Sequence, residues 1–136
     1  PSMWPEDVIV EMEESHDDAR GSIQSLYDLP TKSVVLITSK KGTVRANHYH
    51  MTDWHYCYVT GGEIDYYHRP HGSQEAPDKV TVKTGQLFFT PPMVDHAMVF
   101  VEDTTFFTFG RNPRDQASYE ADVRRIEMID PNTIDI

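Results

Sequence analysis

The sequence predicts a single all-β domain, built as a sandwich or small barrel, with at most a short helix or turn near the carboxyl end. Its 136 residues suffice for one domain. The apolar runs are short, rich in β-branched and aromatic residues, and separated by glycine, proline and acidic turns. Almost no segment has the 3.6-residue apolar repeat of a helix. The predicted strands are 8–12, 33–38, 43–49, 55–60, 63–68, 79–83, 86–90, 97–101 and 104–109.

Three connecting segments complete this prediction. Gly61 and Gly62 separate two alternating runs, and paired glycines accept the positive φ of a two-residue hairpin turn. The polar segment 17–22 is predicted to be a turn between strands near the amino end. Segment 114–128 is the only one with a helix-like residue pattern, because Glu120 and Arg124 have the i,i+4 spacing that stabilises helices. We predict a short helix or turn there.

The composition limits which kinds of partner and which compartment we expect for this protein. Acidic residues outnumber basic ones 22 to 12, and the net charge of −10 disfavours a nucleic-acid partner. The apolar runs are too short to cross a membrane, and the amino end has no secretory signal pattern. One cysteine excludes an internal disulfide and fits a reducing compartment, so we expect a cytoplasmic protein. We also expect Met3 to be the native start, with Pro1 and Ser2 left by cloning.

Histidines are the main clue to function. There are seven, and five of them lie between His48 and His71. His48 and His50 are two residues apart, so they project from one face of a strand. His55 shares the apolar face of the next strand, and a later strand carries His96, so four imidazoles can converge. Neutral imidazoles suit zinc, copper, iron or nickel. An isolated H-x-H is a weak signal, so hydrogen-bonded core histidines remain the alternative.

Two motifs resemble those of the cupins. The first cupin motif, G-x5-H-x-H-x3,4-E-x6-G, is similar to the series Gly42, His48, His50, His55 and Gly62. The second, G-x5-P-x-G-x2-H-x3-N, is similar to the series Gly85, Pro91, Met93, His96 and Phe100. The resemblance covers about residues 31–110. It implies one cupin domain over 1–136, folded as a jelly-roll β-sandwich.

By this resemblance the metal ligands are His48, His50, His55 and His96. The implied cofactor is one divalent transition metal, with zinc favoured over iron, nickel or manganese. His55 replaces the usual glutamate ligand, Met93 replaces a glycine and Phe100 replaces an asparagine. Without the carboxylate the metal keeps its full positive charge, which favours a Lewis-acid role. The family also includes members without metal.

Shorter matches indicate a branch of the family. The segment 45–50, Arg-Ala-Asn-His-Tyr-His, resembles the R-G-N-H-Y-H of cupins in polysaccharide biosynthesis, among them the zinc-containing domain of bifunctional capsular-polysaccharide enzymes. Segment 18–21 is similar to the D-x-R-G of nucleotide-sugar 3,4-ketoisomerases and 3,5-epimerases, and 90–92 to their I-P-P. The implied activity removes a proton next to the carbonyl of a nucleotide-activated keto-sugar. In a metal-free site, His48 and His50 would be the acid/base pair.

Three further residues are candidates for binding this small-molecule substrate. Tyr58 and Tyr66 belong to an aromatic set that can stack a sugar or base, although such alternation on strands more often reflects cross-strand packing or a dimer interface. Arg45 can pair with a diphosphate. On a regular strand, however, Arg45 would face away from His48 and His50. The apolar strand faces also predict a homodimer.

Three classes of function therefore remain open: a nucleotide-sugar isomerase or epimerase, a metal-dependent dioxygenase, and a non-catalytic cupin that binds a metal or small molecule. The identity of the metal separates them, because iron favours the dioxygenase and zinc the first class. A site without metal favours the ketoisomerase version.

Overall fold

The computed structural model describes residues 4–135 and consists mainly of β-strands. Eleven strands and one α-helix lie along this part of the chain, followed by a 3-10 helix at Pro131–Thr133. They are β1 (His16–Asp18), β2 (Gly21–Ile23), β3 (Ser33–Ser39), β4 (Val44–His50), β5 (His55–Gly61), β6 (Glu63–Pro70), β7 (Asp78–Lys83), β8 (Leu87–Thr90), β9 (Val94–Phe100), β10 (Thr104–Gly110), α1 (Gln116–Asp122) and β11 (Val123–Arg125).

Two antiparallel sheets form the sandwich. The four-stranded sheet has the order β3-β10-β5-β8, and the five-stranded sheet has the order β11-β4-β9-β6-β7. Strands β1 and β2 form a separate exposed ribbon. No helix in residues 4–135 is long and apolar enough to span a membrane. The all-β prediction with a short helix near the carboxyl end is confirmed.

The inner faces of the sheets form the main core. Register places Tyr66 opposite Met98 and, two residues further along the same strands, His68 opposite His96. Partners in an antiparallel register lie on the same side of the sheet, so the inward row passes from apolar residues to histidines. The buried members of this core are Cys57, Val59, Ile64, Tyr66, Val82, Phe88, Met98, Phe100 and Phe106.

A second apolar layer covers part of the outer face of the four-stranded sheet. Trp54, Tyr56, Leu87 and Phe89 are buried there beneath side chains of the amino-terminal segment. In the segment 8–12, Val10 and Met12 pack against this layer and Val8 and Ile9 pack against the main core. The strand predicted there is wrong. Only Ile9 forms a β-bridge, to Phe88, although the segment also exchanges backbone hydrogen bonds with β8. The other eight predicted strands are present, with ends that differ by up to three residues.

The hairpin predicted at Gly61 and Gly62 is wrong. Strand β5 belongs to the four-stranded sheet and β6 to the five-stranded sheet, so these glycines turn the corner between sheets. Gly62 has a φ of 104°, and a Cβ built on it would lie 2.6 Å from the Asp103 carbonyl oxygen. Glycine is therefore required by both conformation and space, but for a crossover and not for a hairpin.

Of the two outer segments, the first contains the predicted turn and the second differs from the prediction. The predicted turn at 17–22 is the tip of the β1–β2 ribbon, where Arg20 pairs with Asp18 at 2.6 Å. Helix α1 begins after Asp115, whose carboxylate accepts a hydrogen bond from the Ser118 amide, and ends at Asp122. Position 124 therefore lies in β11, and Glu120 pairs with Arg125 at 2.8 Å instead of with Arg124. The predicted i,i+4 pair is wrong because the helix ends too early.

Candidate functional site

A small cavity lies between the sheets at one end of the sandwich, where β4 and β10 end and β5 begins. It encloses about 60 Å³, enough for an ion and a few water molecules. Phe88 and Met98 form part of its apolar wall. Its polar lining includes His48, His50, His55, His96, Arg114 and Tyr119.

The structure brings the four predicted histidines together. The ring centroids of His48 and His50 are 4.7 Å apart, as are those of His48 and His96. His55 lies 4.8 Å from His50 by the same measure. Four imidazoles from β4, β5 and β9 thus share one cavity, as strand alternation predicted. Their roles as ligands or catalysts stay predictions.

A β-bulge in β4 sets the direction of the first two histidines. Ala46 and Asn47 have φ values of 71° and 54°, and register shifts between Ala46 and His48. His48 pairs with His96, but Arg45 pairs with Met98 on the same side of the sheet. The expectation that Arg45 faces away from the histidines is therefore wrong, because the bulge changes the phase of the strand.

Arg45 nevertheless lies outside the histidine cavity. Its Nε donates to Ser39 Oγ at 2.7 Å and its Nη2 donates to the Thr38 carbonyl at 3.0 Å. These bonds hold the guanidinium against the edge strand β3. Arg45 is therefore not in place to contact a ligand held by the four histidines.

Neither predicted tyrosine lines the cavity. Tyr58 packs with the outer apolar layer, on the opposite face of β5 from His55. Tyr66 is almost completely buried, and burial raises the pKa of its hydroxyl, which hydrogen-bonds Thr90 Oγ1 at 2.7 Å. Its ring centroid is 6.1 Å from that of His96. Tyr66 therefore packs near the His96 ring without lining the cavity.

A buried carboxylate orients His50. Asp122 Oδ2 lies 3.1 Å from His50 Nδ1, and the carboxylate also accepts hydrogen bonds from Thr52 and the Asp53 amide. Burial opposes ionisation, yet the bonds from Thr52 lower the pKa of Asp122. Because an ionised carboxylate only accepts, His50 Nδ1 carries the proton and Nε2 keeps its lone pair. Burial lowers the pKa of His50 to about 4, so the ring is neutral near pH 7.

A second carboxylate holds His55. Its Nε2 lies 3.0 Å from Asp53 Oδ2, while Asp53 Oδ1 accepts a hydrogen bond from the Asn112 amide. Burial opposes ionisation here too, but the hydrogen bond from His55 lowers the pKa of Asp53. The site thus contains two histidine–aspartate pairs, one on each side of the His50–His55 contact.

His96 and His48 are neutral near pH 7, as His50 is. His96 Nδ1 donates to the Val94 carbonyl at 2.9 Å, which leaves Nε2 with its lone pair. Burial lowers the pKa of His96 to about 3. Burial, together with the neighbouring His96, lowers the pKa of His48 as well. Neutral imidazoles can act as bases or metal ligands.

These donors fit a transition metal. One ring nitrogen from each of His48, His50 and His96 lies within 4.8 Å of the others. Two of the three rings have their second nitrogen bound to a carboxylate or carbonyl, the usual support of a metal-ligating histidine. His55 lies outside this group, and its Nε2 is 3.0 Å from Asp53 Oδ2. The four-histidine sphere expected by resemblance is thus three histidines in close reach, with the fourth engaged elsewhere.

Sequence reasoning missed four residues of the site. Asp53 precedes His55 by two positions, a spacing that indicated nothing by itself. Asp122 lies 72 residues from His50, so only the fold brings them together. Tyr119 of α1 lies 5.8 Å from His50 by ring centroid, and the Arg114 guanidinium lies 3.5 Å from the centre of the Tyr119 ring. The sequence predicts a short helix or turn in segment 114–128, but no feature of that segment indicates that it lies beside the histidines.

The two antiparallel sheets, with histidines converging at one end, have the fold of the RmlC-like cupins. The predicted cupin jelly roll is therefore confirmed. No protein-family model and no curated protein sequence matches the chain. The chain is similar to solved structures, and the three described next share 18–20% of their residues with it.

Three such structures are informative. The QdtA 3,4-ketoisomerase from Thermoanaerobacterium thermosaccharolyticum, in complex with TDP, has 18% identity and a TM-score of 0.69, covering 86% of this chain and 85% of that one. The dTDP-4-dehydrorhamnose 3,5-epimerase from Sulfolobus tokodaii has 18% identity and a TM-score of 0.68, with 88% and 84% covered. The capsular polysaccharide assembling protein CapF from Staphylococcus aureus has 20% identity and a TM-score of 0.62, with 86% and 34% covered.

Proposed function

We propose that this protein is an isomerase or epimerase that acts on a nucleotide-activated keto-sugar. Solved structures with the same fold include a sugar 3,4-ketoisomerase and a 3,5-epimerase, and both reactions require removal of a proton next to a carbonyl. The observation that carries the proposal is the His50–Asp122 pair, because it offers a neutral, oriented imidazole inside the cavity.

His50 is the base of this proposal. Its Nε2 lone pair accepts the proton from the carbon next to the substrate carbonyl, and the Nδ1–H bond to Asp122 stabilises the imidazolium that forms. The proton that His50 has taken up is then returned to a sugar carbon, and His48, in edge contact with His50, is the second member of the pair because it can accept this proton from His50 and pass it on.

The enolate oxygen needs a hydrogen-bond donor or a cation. Tyr119 faces His50 from helix α1, and burial raises the pKa of its hydroxyl. The hydroxyl therefore stays protonated near neutral pH and can donate to the developing oxyanion. Arg114 adds positive charge against the face of the same ring, 3.5 Å from its centre.

A divalent metal, most favourably zinc, is the second element of the proposal. His48, His50 and His96 would hold it, and the bound ion would supply Lewis-acid stabilisation of an enolate oxygen. A lone pair given to a metal is not available to a proton, so metal binding and base catalysis by His50 are alternatives. In the metal-bound case His55, oriented by Asp53, is the remaining cavity imidazole able to move a proton.

Hydrogen exchange tests the reaction. We expect the protein to exchange a sugar hydrogen of TDP-4-keto-6-deoxyglucose with deuterium from solvent, measured by proton NMR. The metal-free protein with His50→Asn should lose at least about a hundredfold of this rate. His71→Asn is the matched control, since His71 stacks on Tyr49 outside the cavity. Absence of exchange in the wild type, or an undiminished rate in His50→Asn, would contradict the proposal.

Elemental analysis tests the metal. We expect about one transition-metal ion per chain, lost together with thermal stability in His96→Ala, because binding to the folded state adds to its stability. His71→Ala should change neither quantity. Iron accompanied by substrate-dependent oxygen consumption would support the dioxygenase alternative instead.

A further inference from the structure

Asn112 donates hydrogen bonds toward both aspartates that orient histidines of the cavity. Its backbone amide donates to Asp53 Oδ1 at 2.9 Å. Its side-chain Nδ2 donates to Thr52 Oγ1 at 3.1 Å, and this hydroxyl donates to Asp122 Oδ1 at 2.7 Å. One residue in the segment after β10 thus supports both histidine–aspartate pairs.

Arg111 fixes the direction of the side-chain bonds. Its Nη1 donates to Asn112 Oδ1 at 2.9 Å, so the amide oxygen faces Arg111 and Nδ2 faces Thr52. The Thr52 oxygen accepts from Nδ2, and its own hydrogen points at Asp122, whose ionised carboxylate only accepts. Every donor in this series of bonds therefore points toward Asp122.

The Thr52 hydroxyl holds one oxygen of the Asp122 carboxylate while His50 uses the other. His50 Nδ1 lies 3.1 Å from Oδ2, and the amides of Thr52 and Asp53 donate to Oδ1 at 2.8 Å and to Oδ2 at 3.2 Å. Across residues 4–135 these are four donors, and the hydroxyl forms the shortest of the four bonds. Without it, Oδ1 keeps only the Thr52 amide, and the carboxylate can rotate away from His50.

The series also has a charge at each end. Arg111 is an exposed cation, whereas Asp122 is a buried carboxylate. Hydrogen bonds that run in one direction between such charges polarise one another. The geometry therefore strengthens the hold on Asp122 from the surface inward.

We propose that Thr52 and Asn112 are positioning residues for His50, which they orient through Asp122. The inference rests on the proposed function, in which His50 is the base. In the described part of the chain, neither residue lines the histidine cavity. Their loss should therefore slow proton removal and leave substrate binding unchanged.

Thr52→Val tests the hydroxyl, because a methyl group takes its space and keeps water from replacing the bond. In hydrogen exchange with TDP-4-keto-6-deoxyglucose, kcat should fall about tenfold, as expected for one hydrogen bond to a charged group. KM should stay within about twofold of the wild type. Thr52→Ser keeps the hydroxyl and should restore kcat.

Thr81→Val is the matched control. Thr81 Oγ1 donates to the Asp65 carboxylate at 3.0 Å, on the outer face of the five-stranded sheet. This variant loses the same kind of bond but should keep the kcat of the wild type. An unchanged kcat in Thr52→Val, or an equal loss in Thr81→Val, would overturn the proposal.

Asn112→Ala removes the donor to Thr52 but keeps the backbone amide that donates to Asp53. We expect kcat to fall about threefold, because the hydroxyl still reaches Asp122 but is less well oriented. Since Asn112 acts through Thr52, the double variant should lose no more than Thr52→Val alone. Losses that multiply would contradict a series of bonds.

Nuclear magnetic resonance tests the positioning without substrate. In the full chain stripped of metal, the Nδ1–H signal of His50 reports its bond to Asp122. This signal should move and broaden in Thr52→Val, and should keep its position in Thr52→Ser and Thr81→Val. An unmoved signal in Thr52→Val would refute the positioning role, while sugar hydrogen exchange by the wild type would leave the proposed function standing. A signal that moves as expected, in a protein that exchanges no sugar hydrogen, would support the positioning and refute the function.

Discussion

Strands β10 and β4 have the same length but differ in regularity. Strand β10 alternates strictly between buried and partly exposed residues, and all seven of its residues pair in register with β3. Strand β4 loses register after Ala46, and two of its residues have positive φ. The regular strand builds the sandwich, whereas the irregular one presents His48 and His50. The candidate site thus lies where the local rules of a strand are broken.

The same contrast appears at the second motif. Met93 has a φ of 61°, at the position where the resembling motif has glycine. Its amide donates to the His50 carbonyl at 2.8 Å, and its carbonyl accepts from the His71 amide. The backbone conformation is kept although the glycine is absent. A fold can therefore retain the turn that positions a site residue at the cost of local strain.

The largest expected effect comes from Asp122, which anchors helix α1 to the irregular side of the molecule. Asp122→Ala leaves the Thr52 and Asp53 donors and His50 Nδ1 without their acceptor. We expect a loss of about 2–4 kcal/mol in unfolding free energy, measured by urea denaturation. Sugar hydrogen exchange should fall at least about a hundredfold, since the His50 tautomer is no longer set.

Asp115→Ala is the matched control, because Asp115 caps the same helix but is exposed. Loss of that cap should lower the unfolding free energy by less than the Asp122 substitution does and leave the hydrogen-exchange rate close to that of the wild type. Equal effects of the two substitutions would show that Asp122 acts only as a helix anchor.

The second largest effect is expected from acid, which should lower the unfolding free energy through the buried histidines of the irregular side. The unfolded pKa of a histidine is near 6.5, whereas burial lowers the pKa of His50 to about 4 and that of His96 to about 3. Between these values the unfolded chain binds protons that the folded chain excludes, so stability is present above pH 6.5 and falls as the pH decreases toward 4. Urea denaturation of metal-stripped protein at pH 7.5, 6 and 5 measures the loss.

Two variants sharpen this measurement. His96→Gln should reduce the dependence on pH, because one buried titrating group is removed. His16→Gln, on the exposed ribbon, should keep it unchanged. A wild-type stability that is flat from pH 7.5 to 5 would mean that the buried histidines are not held neutral.

The regular half of the molecule was predictable because inward-facing and outward-facing residues alternate along its strands. Alternation identified β10 and also the shared face of His48 and His50, both of which follow the bulge. Alternation gave the wrong face of the sheet for Arg45. The bulge that changes the face was not predictable, because neither Ala46 nor Asn47 indicates a positive φ as a glycine does. Asp122 could not be found either, since strand spacing carries no information about a carboxylate on a distant helix. The resemblance to cupin motifs located the histidines, but not the aspartates that orient two of them.

The homodimer stays a prediction, and the regular side offers the surface for it. Strand β3 is an edge of the four-stranded sheet, and Val34 and Leu36 on it are 65% and 58% exposed. Leu36→Lys should move the protein from dimer to monomer in sedimentation at micromolar concentration, because a charge opposes edge pairing. Ile23→Lys changes an equally apolar, 75% exposed residue on the separate ribbon and should leave the dimer intact. A wild-type monomer would contradict the prediction at once.

The smallest expected effect tests whether the irregularity of β4 carries strain. Ala46 has a φ of 71°, a conformation that costs a residue with a Cβ roughly 1–2 kcal/mol, while glycine costs about 1 kcal/mol through the unfolded chain. Ala46→Gly should therefore stabilise the protein by up to about 1 kcal/mol. Its register partner Ala97 is buried on regular strand β9, so Ala97→Gly should destabilise by about 1 kcal/mol or more. Chemical denaturation of the two variants compares the same substitution at two residues that pair with each other. We expect the unfolding free energy to rise in Ala46→Gly and to fall in Ala97→Gly. Destabilisation of equal size at both positions would show that the bulge holds Ala46 without strain.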